Sequence, residues 1–379
     1  MSCAGSVSQL RAAEPLSVSG LYDLIAVSPE RRIAVIGLVK NAGKTTVVNA
    51  LMANVGQRFG LTSLGLDGER TDHLTGLAKP RIVPPPGTFV ATTTGSLDRS
   101  HYHMRIIEEL PFRTALGRVA IGIAGEDGEA VEVSGPTTLR QVRATADRLL
   151  ALGAERVLVD GAINRLGSAS PRVSDGLIMA TGAILADKLE EVVQITAATF
   201  DMLTLPQADE ALRHALRGHD PAATRLLSLD AAGDKQPLRL TSLIGHGAAV
   251  AREIERHGTQ TLVVGGALTQ DFVDDFLRVL PPKRELRLVV RDATVLILPA
   301  TTVARLRRRL QIEVLHPLRV LAVTTNPFRL PKPYSPKVFF GAVVDAIGDR
   351  AAVFDVINGL AHLPARAVAD TAGATSVPT

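Results

Sequence analysis

The sequence GLVKNAGKT at residues 37–45 decides the fold class that this chain predicts. It matches the phosphate-loop pattern G-x-x-x-x-G-K-[ST] at every fixed position. An apolar run at 31–37 precedes it and is typical of a buried parallel strand. Apolar residues with helical spacing follow it over 44–59, and Gly60 is expected to end that helix. Because the pattern requires a strand before the loop and a helix after it, the stretch predicts a loop that binds nucleotide phosphates. The alternative is a glycine-rich turn without a ligand.

The chemistry expected of this loop comes from its backbone and from two side chains. Backbone N–H groups and the N-terminus of the following helix attract phosphate, and Gly43 lets the backbone approach it closely. Lys44 would contact the β- and γ-phosphates, and the Thr45 hydroxyl would coordinate Mg²⁺. ATP and Mg²⁺ are therefore the expected ligands. The predicted nucleotide-binding residues are Gly37, Asn41, Ala42, Gly43, Lys44, Thr45 and Thr46.

Two aspartates follow predicted strands of the same sheet. Asp160 ends the apolar run 157–159, in the form of the metal-facing acidic motif of nucleotide enzymes. Asp67 follows the strand predicted at 61–66, directly after the helix of the loop. The alternative for both is a turn residue at a strand end. The sequence thus predicts Lys44 and Asp160 as catalytic residues, and Thr45, Asp67 and Asp160 as metal ligands.

Strand and helix patterns alternate along most of the chain, which predicts an α/β protein. We expect a P-loop NTPase domain with a mainly parallel sheet, followed by a smaller C-terminal α/β domain. The polar, turn-rich stretch 229–238 marks the expected boundary. The predicted divisions are an N-terminal lead-in at 1–28, the P-loop NTPase domain at 29–235, the C-terminal domain at 236–362 and a flexible tail at 363–379.

Composition narrows the class of protein. Hydrophobic residues make up 46% of the 379, enough for a core, and the single cysteine, Cys3, excludes an internal disulfide and a cysteine-ligated metal cluster. No run approaches the roughly 18 apolar residues of a membrane span. No secretory signal pattern is seen, so we expect a cytoplasmic protein without a membrane partner. The net charge of +4 is spread along the chain, and the arginine cluster at 305–309 is typical of a solvated helix end, so no nucleic-acid partner is expected.

Weaker signals lie in the irregular stretch 68–115. Lys79 and the threonines at 92–94 would suit a second, anionic ligand, but we favour ordinary polar loop residues. His101 and His103 would suit a metal ion, although no third ligand is evident nearby.

Six phrases stand in order along the chain. They are GLVKNAGKTT at 37–46, LTSLGLDGE at 61–69, KP at 79–80, VDGAINR at 159–165, DGLIMATGA at 175–183 and TTNP at 324–327. In order and spacing they resemble the small subunit of the reactivation system for lysine 5,6-aminomutase. The resemblance spans most of the chain, and only the phosphate loop is specific by itself.

The resemblance implies a chaperone-like ATPase. The aminomutase uses adenosylcobalamin and pyridoxal phosphate, and it is inactivated when damaged cobalamin stays bound. A reactivating protein of this family uses ATP to release the spent cofactor, together with a larger ATPase subunit that resembles DNA mismatch-repair proteins. The expected partners are therefore lysine 5,6-aminomutase and that larger ATPase.

Two other functions stay open. The loop also resembles those of dethiobiotin synthetase, cobyrinate amidating enzymes and the small molybdopterin guanine dinucleotide proteins, because Val39 stands where DNA-partitioning ATPases have a second lysine. A synthetase of the dethiobiotin type would use ATP to activate a carboxylate held in a pocket formed by the 68–115 stretch. The other function is a nucleotide-gated binding module without significant hydrolysis.

Overall fold

A computed structural model of the protein describes most of the chain as alternating strands and helices. The described residues are 19–53, 57–65, 81–126, 128–218, 226–238, 240 and 243–365. The expected lead-in is described only from residue 19 and the expected tail only to residue 365, so most of those two predictions lies outside the described residues.

Strands and helices are numbered here in chain order. The strands are β1 (Arg32–Gly37), β2 (Phe59–Ser63), β3 (Phe89–Thr93), β4 (Met104–Thr114), β5 (Gly117–Ala124), β6 (Arg156–Ala162), β7 (Gly176–Gly182), β8 (Leu226–Leu229), β9 (Lys235–Pro237), β10 (Thr261–Val264), β11 (Leu268–Thr269), β12 (Arg287–Val290), β13 (Leu296–Ile297), β14 (Gln311–Val314), β15 (Val320–Asn326), β16 (Ala352–Asp355) and β17 (Leu360–His362). The α-helices are α1 (Ser19–Val27), α2 (Lys44–Met52), α3 (Thr94–Ser100), α4 (Leu139–Ala151), α5 (Leu189–Leu203), α6 (Glu210–Ala215), α7 (Gly247–Arg256), α8 (Gln270–Val279), α9 (Ala300–Arg307) and α10 (Pro336–Ile347).

The main sheet has β1 near its centre. Within the described ranges its strand order is β17-β16-β15-β7-β1-β6-β2-β3-β5-β4. The run from β16 to β3 is parallel throughout, whereas β17 at one edge and the β4–β5 hairpin at the other are antiparallel. The predicted α/β class with a mainly parallel sheet is therefore confirmed. Because these strands run in one direction, their carboxyl ends meet at one edge, which is where such sheets bind ligands.

Helices cover both faces of the main sheet. Successive residues of β1 point to opposite faces. Val35 belongs to the core beneath α1 and α2, whereas Ile36 belongs to a larger core beneath α5 and α10. A further core lies beneath α4 and includes Val157 of β6. This two-sided burial explains why the central strands are continuous apolar runs in the sequence.

A second, smaller sheet is inserted between α6 and β15. Its strand order within the described residues is β14-β12-β10-β8-β9, with β10, β12 and β14 parallel to one another. Its residues Leu262 and Val290 belong to the same continuous core as Leu177 of the main sheet. Helix α5 joins the two sheets, because its residue Phe200 is buried in that core and the helix packs against both α9 and α10.

This topology differs from the predicted division into two domains at residue 235. The elements β15, α10, β16 and β17 lie in the predicted C-terminal domain, 236–362, but they extend the main sheet or pack on it. The polar stretch that suggested a boundary is the turn between β8 and β9. There Asp230 Oδ1 accepts hydrogen bonds from the N–H groups of Ala232 and Asp234. The polar residues therefore form a hairpin turn and not a linker.

The helix predicted over 44–59 is shorter in the structure. Helix α2 ends at Met52, and Phe59 and Gly60 lie in β2. A Cβ on residue 60 would lie 3.0 Å from Val157 Cγ2 and 3.1 Å from Leu149 Cβ. Gly60 therefore lies where α4 and β6 pack closely against β2, and no helix ends at this position.

Candidate functional site

The loop at 37–45 joins β1 to α2 at the carboxyl edge of the main sheet. Its backbone is left-handed at Asn41 (φ 63°) and at Gly43 (φ 98°). Left-handed residues in a tight turn are the geometry that presents backbone N–H groups as an anion-binding nest. A Cβ on residue 37 would lie 3.2 Å from the carbonyl oxygen of Val39, so glycine at 37 lets the loop fold back on itself. The two pattern glycines thus allow a concave turn at the N-terminus of a helix.

Lys44, the first residue of α2, contacts Asp160 of β6. Its Nζ lies 2.7 Å from Asp160 Oδ1, and the exposed fractions of the two side chains are 12% and 6%. Strand β6 pairs with β1, with Asp160 opposite Val35, and this pairing brings two residues that are distant in sequence to one point. The structure therefore places the two predicted catalytic residues together, as a nearly buried ion pair.

Oxygen-bearing side chains of a type that Mg²⁺ accepts lie next to this pair in the chain and in the strand register. Carboxylate and hydroxyl oxygens are ligands that Mg²⁺ accepts in nucleotide sites. Asp160 has the carboxylate, and Thr45, half-buried in the first turn of α2, has a hydroxyl. The Ser63 hydroxyl is on the residue opposite Asp160 in β2, is buried, and has no hydrogen-bond partner within the described ranges. The sequence does not single out Ser63, since a serine at a strand end carries no specific signal, and the predicted ligand Asp67 lies outside the described residues.

Two strands on the other side of β1 also reach the loop. Strand β7 ends at Gly182 and β15 ends at Asn326, and these two residues pair in register. The side-chain amide of Asn326 donates a hydrogen bond to the carbonyl oxygen of Asn41, with Nδ2 and O 3.0 Å apart. The sequence contains Asn326 in the TTNP phrase but indicates no contact for it, because 285 residues separate the two asparagines.

Two of the threonines at 92–94 have structural roles. Thr92 Oγ1 donates to the carbonyl oxygen of Glu132 at 2.8 Å, and Thr93 Oγ1 accepts the N–H of Ser96 at the start of α3. Both hydroxyls thus fix the local backbone, in agreement with the interpretation favoured from the sequence. Lys79, the other residue considered for a second anionic ligand, lies outside the described residues.

The histidine and arginine signals are also explained by local structure. His101 ends α3 in a left-handed conformation, and His103 lies 3.6 Å from a carboxylate oxygen of Glu129. No group of three or more His, Cys, Asp or Glu side chains suited to a metal ion occurs among the residues that the structure describes. Arg305 pairs with Asp274 of α8, as expected for an ordinary helix surface.

Comparisons of this chain with protein-family models, with curated proteins and with solved structures found no match. The case for a function therefore depends on the residues of the loop and on their contacts. In the part of the chain that the structure describes, no helix combines the length and the apolar character needed to cross a bilayer.

Proposed function

We propose that the chain has a P-loop NTPase fold, binds ATP with Mg²⁺ at residues 37–45 and hydrolyses the ATP. The contact between Lys44 and Asp160 is the observation on which the proposal depends. It joins the two residue types that this phosphate chemistry needs, at the carboxyl ends of adjacent parallel strands. The burial of this pair, which costs several kcal/mol per ion, supports a functional site over a turn without a ligand.

The ion pair indicates how these residues would respond to nucleotide. The β- and γ-phosphates carry more negative charge than one carboxylate, so Lys44 would leave Asp160 to contact them. Asp160 would then present its carboxylate to the metal, together with the Thr45 hydroxyl. Bound Mg²⁺ would neutralise charge on the β- and γ-phosphates. The N–H groups of the loop would hold the phosphates in one position throughout.

We further infer that hydrolysis serves to reactivate an adenosylcobalamin-dependent lysine 5,6-aminomutase by releasing damaged cobalamin. The ordered sequence phrases support this part of the proposal, and two of them, at 37–46 and 324–327, are joined by the hydrogen bond from Asn326 to Asn41. Hydrolysis can drive release only if the ATP-bound and ADP-bound states bind the aminomutase differently. Shifting a bound population from 1:99 to 99:1 requires a difference of about 5.5 kcal/mol.

The test of this function is cobalamin release. We expect the pure chain, mixed with the aminomutase, the larger ATPase and Mg·ATP, to accelerate the release of inactive cobalamin, measured as the fraction that passes a protein-retaining filter. With a non-hydrolysable ATP analogue, release should fall to the rate seen without nucleotide. Equal rates with ATP and the analogue would contradict hydrolysis-driven reactivation. ATP-dependent phosphorylation of a small carboxylic acid by the pure chain alone would favour the synthetase.

A further inference from the structure

We propose that Asn326 is a positioning residue for the nucleotide, because it holds residues 41–43 in the conformation that binds phosphate. The inference rests on the proposed function, since it assigns a role at the same loop. Asn326 ends β15, after the entire second sheet in the sequence, and lies outside the phosphate-loop pattern. Only the tertiary structure relates it to the loop.

Both polar atoms of the Asn326 side chain form hydrogen bonds. Nδ2 donates to the carbonyl oxygen of Asn41 at 3.0 Å, and Oδ1 accepts the N–H of Phe328 at 3.1 Å. The bond to Phe328 fixes the orientation of the amide, so its NH₂ group and not its oxygen faces the loop. The bond to Asn41 then holds the peptide between residues 41 and 42 at one angle.

Close packing supplements these hydrogen bonds. A Cβ on residue 43 would lie 3.3 Å from Asn326 Cβ, and a Cβ on residue 182 would lie 3.1 Å from Ala42 Cα. Residues 41–43 are thus enclosed by the ends of β15 and β7, with a glycine at each point of closest approach. Because the loop packs closely against these two strand ends, a change in the backbone conformation of residues 41–43 would have to displace the Asn326 side chain.

The loop needs this support because Asn41 is left-handed, at φ 63°. Residues with a Cβ are disfavoured in this region, although asparagine tolerates it better than most. Without the bond from Asn326, the free loop would sample other conformations, and each binding event would first have to order it. The expected consequence is weaker nucleotide binding and not slower chemistry once the nucleotide is bound.

The experiment compares Asn326→Ala and Asn326→Asp with Thr325→Val, all in the full chain. The aspartate keeps the acceptor for the Phe328 N–H but cannot donate to Asn41, whereas alanine removes both bonds. Thr325 is the preceding residue of β15, and its buried hydroxyl donates to the carbonyl oxygen of Phe354 at 3.4 Å. Thr325→Val therefore shows how much of any effect comes from disturbing the end of β15 and not from losing the Asn326 side chain. Hydrogen–deuterium exchange of the free protein measures how often the loop opens, and titration with Mg·ATP measures its affinity for the nucleotide.

We expect the amide of Ala42, which donates to the carbonyl oxygen of Val39 at 3.3 Å, to exchange about 5- to 10-fold faster in both Asn326 variants. The Kd for Mg·ATP should rise by about 5- to 10-fold, while turnover at saturating ATP stays within about 2-fold of wild type. The increase in Kd should be at the upper end of this range for Asn326→Asp, because the aspartate adds a negative charge beside the phosphates. Thr325→Val should match wild type in both measurements.

Unchanged exchange and unchanged affinity in both Asn326 variants would overturn the inference. The two measurements together distinguish a failure of this inference from a failure of the proposed function. Wild-type protein that binds no ATP, together with faster exchange at Ala42 in the Asn326 variants, would contradict the nucleotide site and still support the role of Asn326 in holding the loop.

Discussion

Lys44→Ala should lower ATP turnover by at least about 10²-fold, measured as phosphate release by the pure protein at saturating Mg·ATP. The charge of Lys44 would stabilise the phosphoryl group during transfer, and losing one contact of this type removes about 3 kcal/mol of transition-state stabilisation. The matched control is Lys337→Ala, which removes the same side chain from the first turn of another helix, α10, where it is exposed and outside the proposed site. Its turnover should stay within about 3-fold of wild type, as for an ordinary surface substitution.

The Lys44 variant needs a folding control, because the structure shows this side chain only 12% exposed and paired with Asp160. Removing one partner of a buried ion pair costs about 3–5 kcal/mol of stability. Turnover should therefore be expressed per folded molecule, from urea unfolding curves. The double variant Lys44→Ala/Asp160→Asn removes both charges, so it should recover much of the stability but none of the activity. Wild-type turnover in folded Lys44→Ala protein would contradict the proposed ATPase.

Asp160→Asn should lower turnover by about 10²- to 10³-fold at a Mg²⁺ concentration that saturates wild type. A neutral amide of the same shape is a poor ligand for Mg²⁺ compared with a carboxylate. ATP affinity measured with EDTA should not fall, because Lys44 no longer has to leave an acidic partner to contact the phosphates. The measurement is phosphate release over a Mg²⁺ titration, with calorimetry for the affinity.

The control for this variant is Asp175→Asn. Asp175 precedes β7 at the opposite edge of the sheet, where its carboxylate accepts the N–H of Arg32 at 2.9 Å. Its loss should leave the Mg²⁺ dependence of turnover unchanged. If Asp160→Asn also kept the wild-type Mg²⁺ dependence, the metal role of Asp160 would be wrong.

Local sequence was sufficient to predict the strand, loop and helix around residues 37–45, because each is specified by neighbouring residues. It also placed Asp160 in a buried strand, although β6 continues two residues beyond it, to Ala162. That this strand lies directly beside β1, with Lys44 against Asp160, follows from sheet order and is not encoded in any short window. The contact from Asn326 to Asn41 depends on the same order, and it bridges the whole inserted sheet.

The errors of the sequence analysis have local physical causes. Gly60 resembles a helix-ending glycine, but it lies in β2 where α4 and β6 approach closely. Asp230 resembles part of a linker, but its carboxylate forms a hairpin turn. In each case one residue type serves two structures, and its identity alone does not decide between them.

The most direct test of the nucleotide site is calorimetric titration of the pure full chain with ATP, with and without Mg²⁺. The site predicts saturable binding of one ATP per chain that Mg²⁺ strengthens. It also predicts that Gly43→Val weakens binding by at least about 10-fold, because residue 43 has φ 98° and Asn326 occupies the space beside it. No saturable binding of Mg·ATP by the wild-type chain, or binding that Gly43→Val leaves unchanged, would contradict a nucleotide site at residues 37–45.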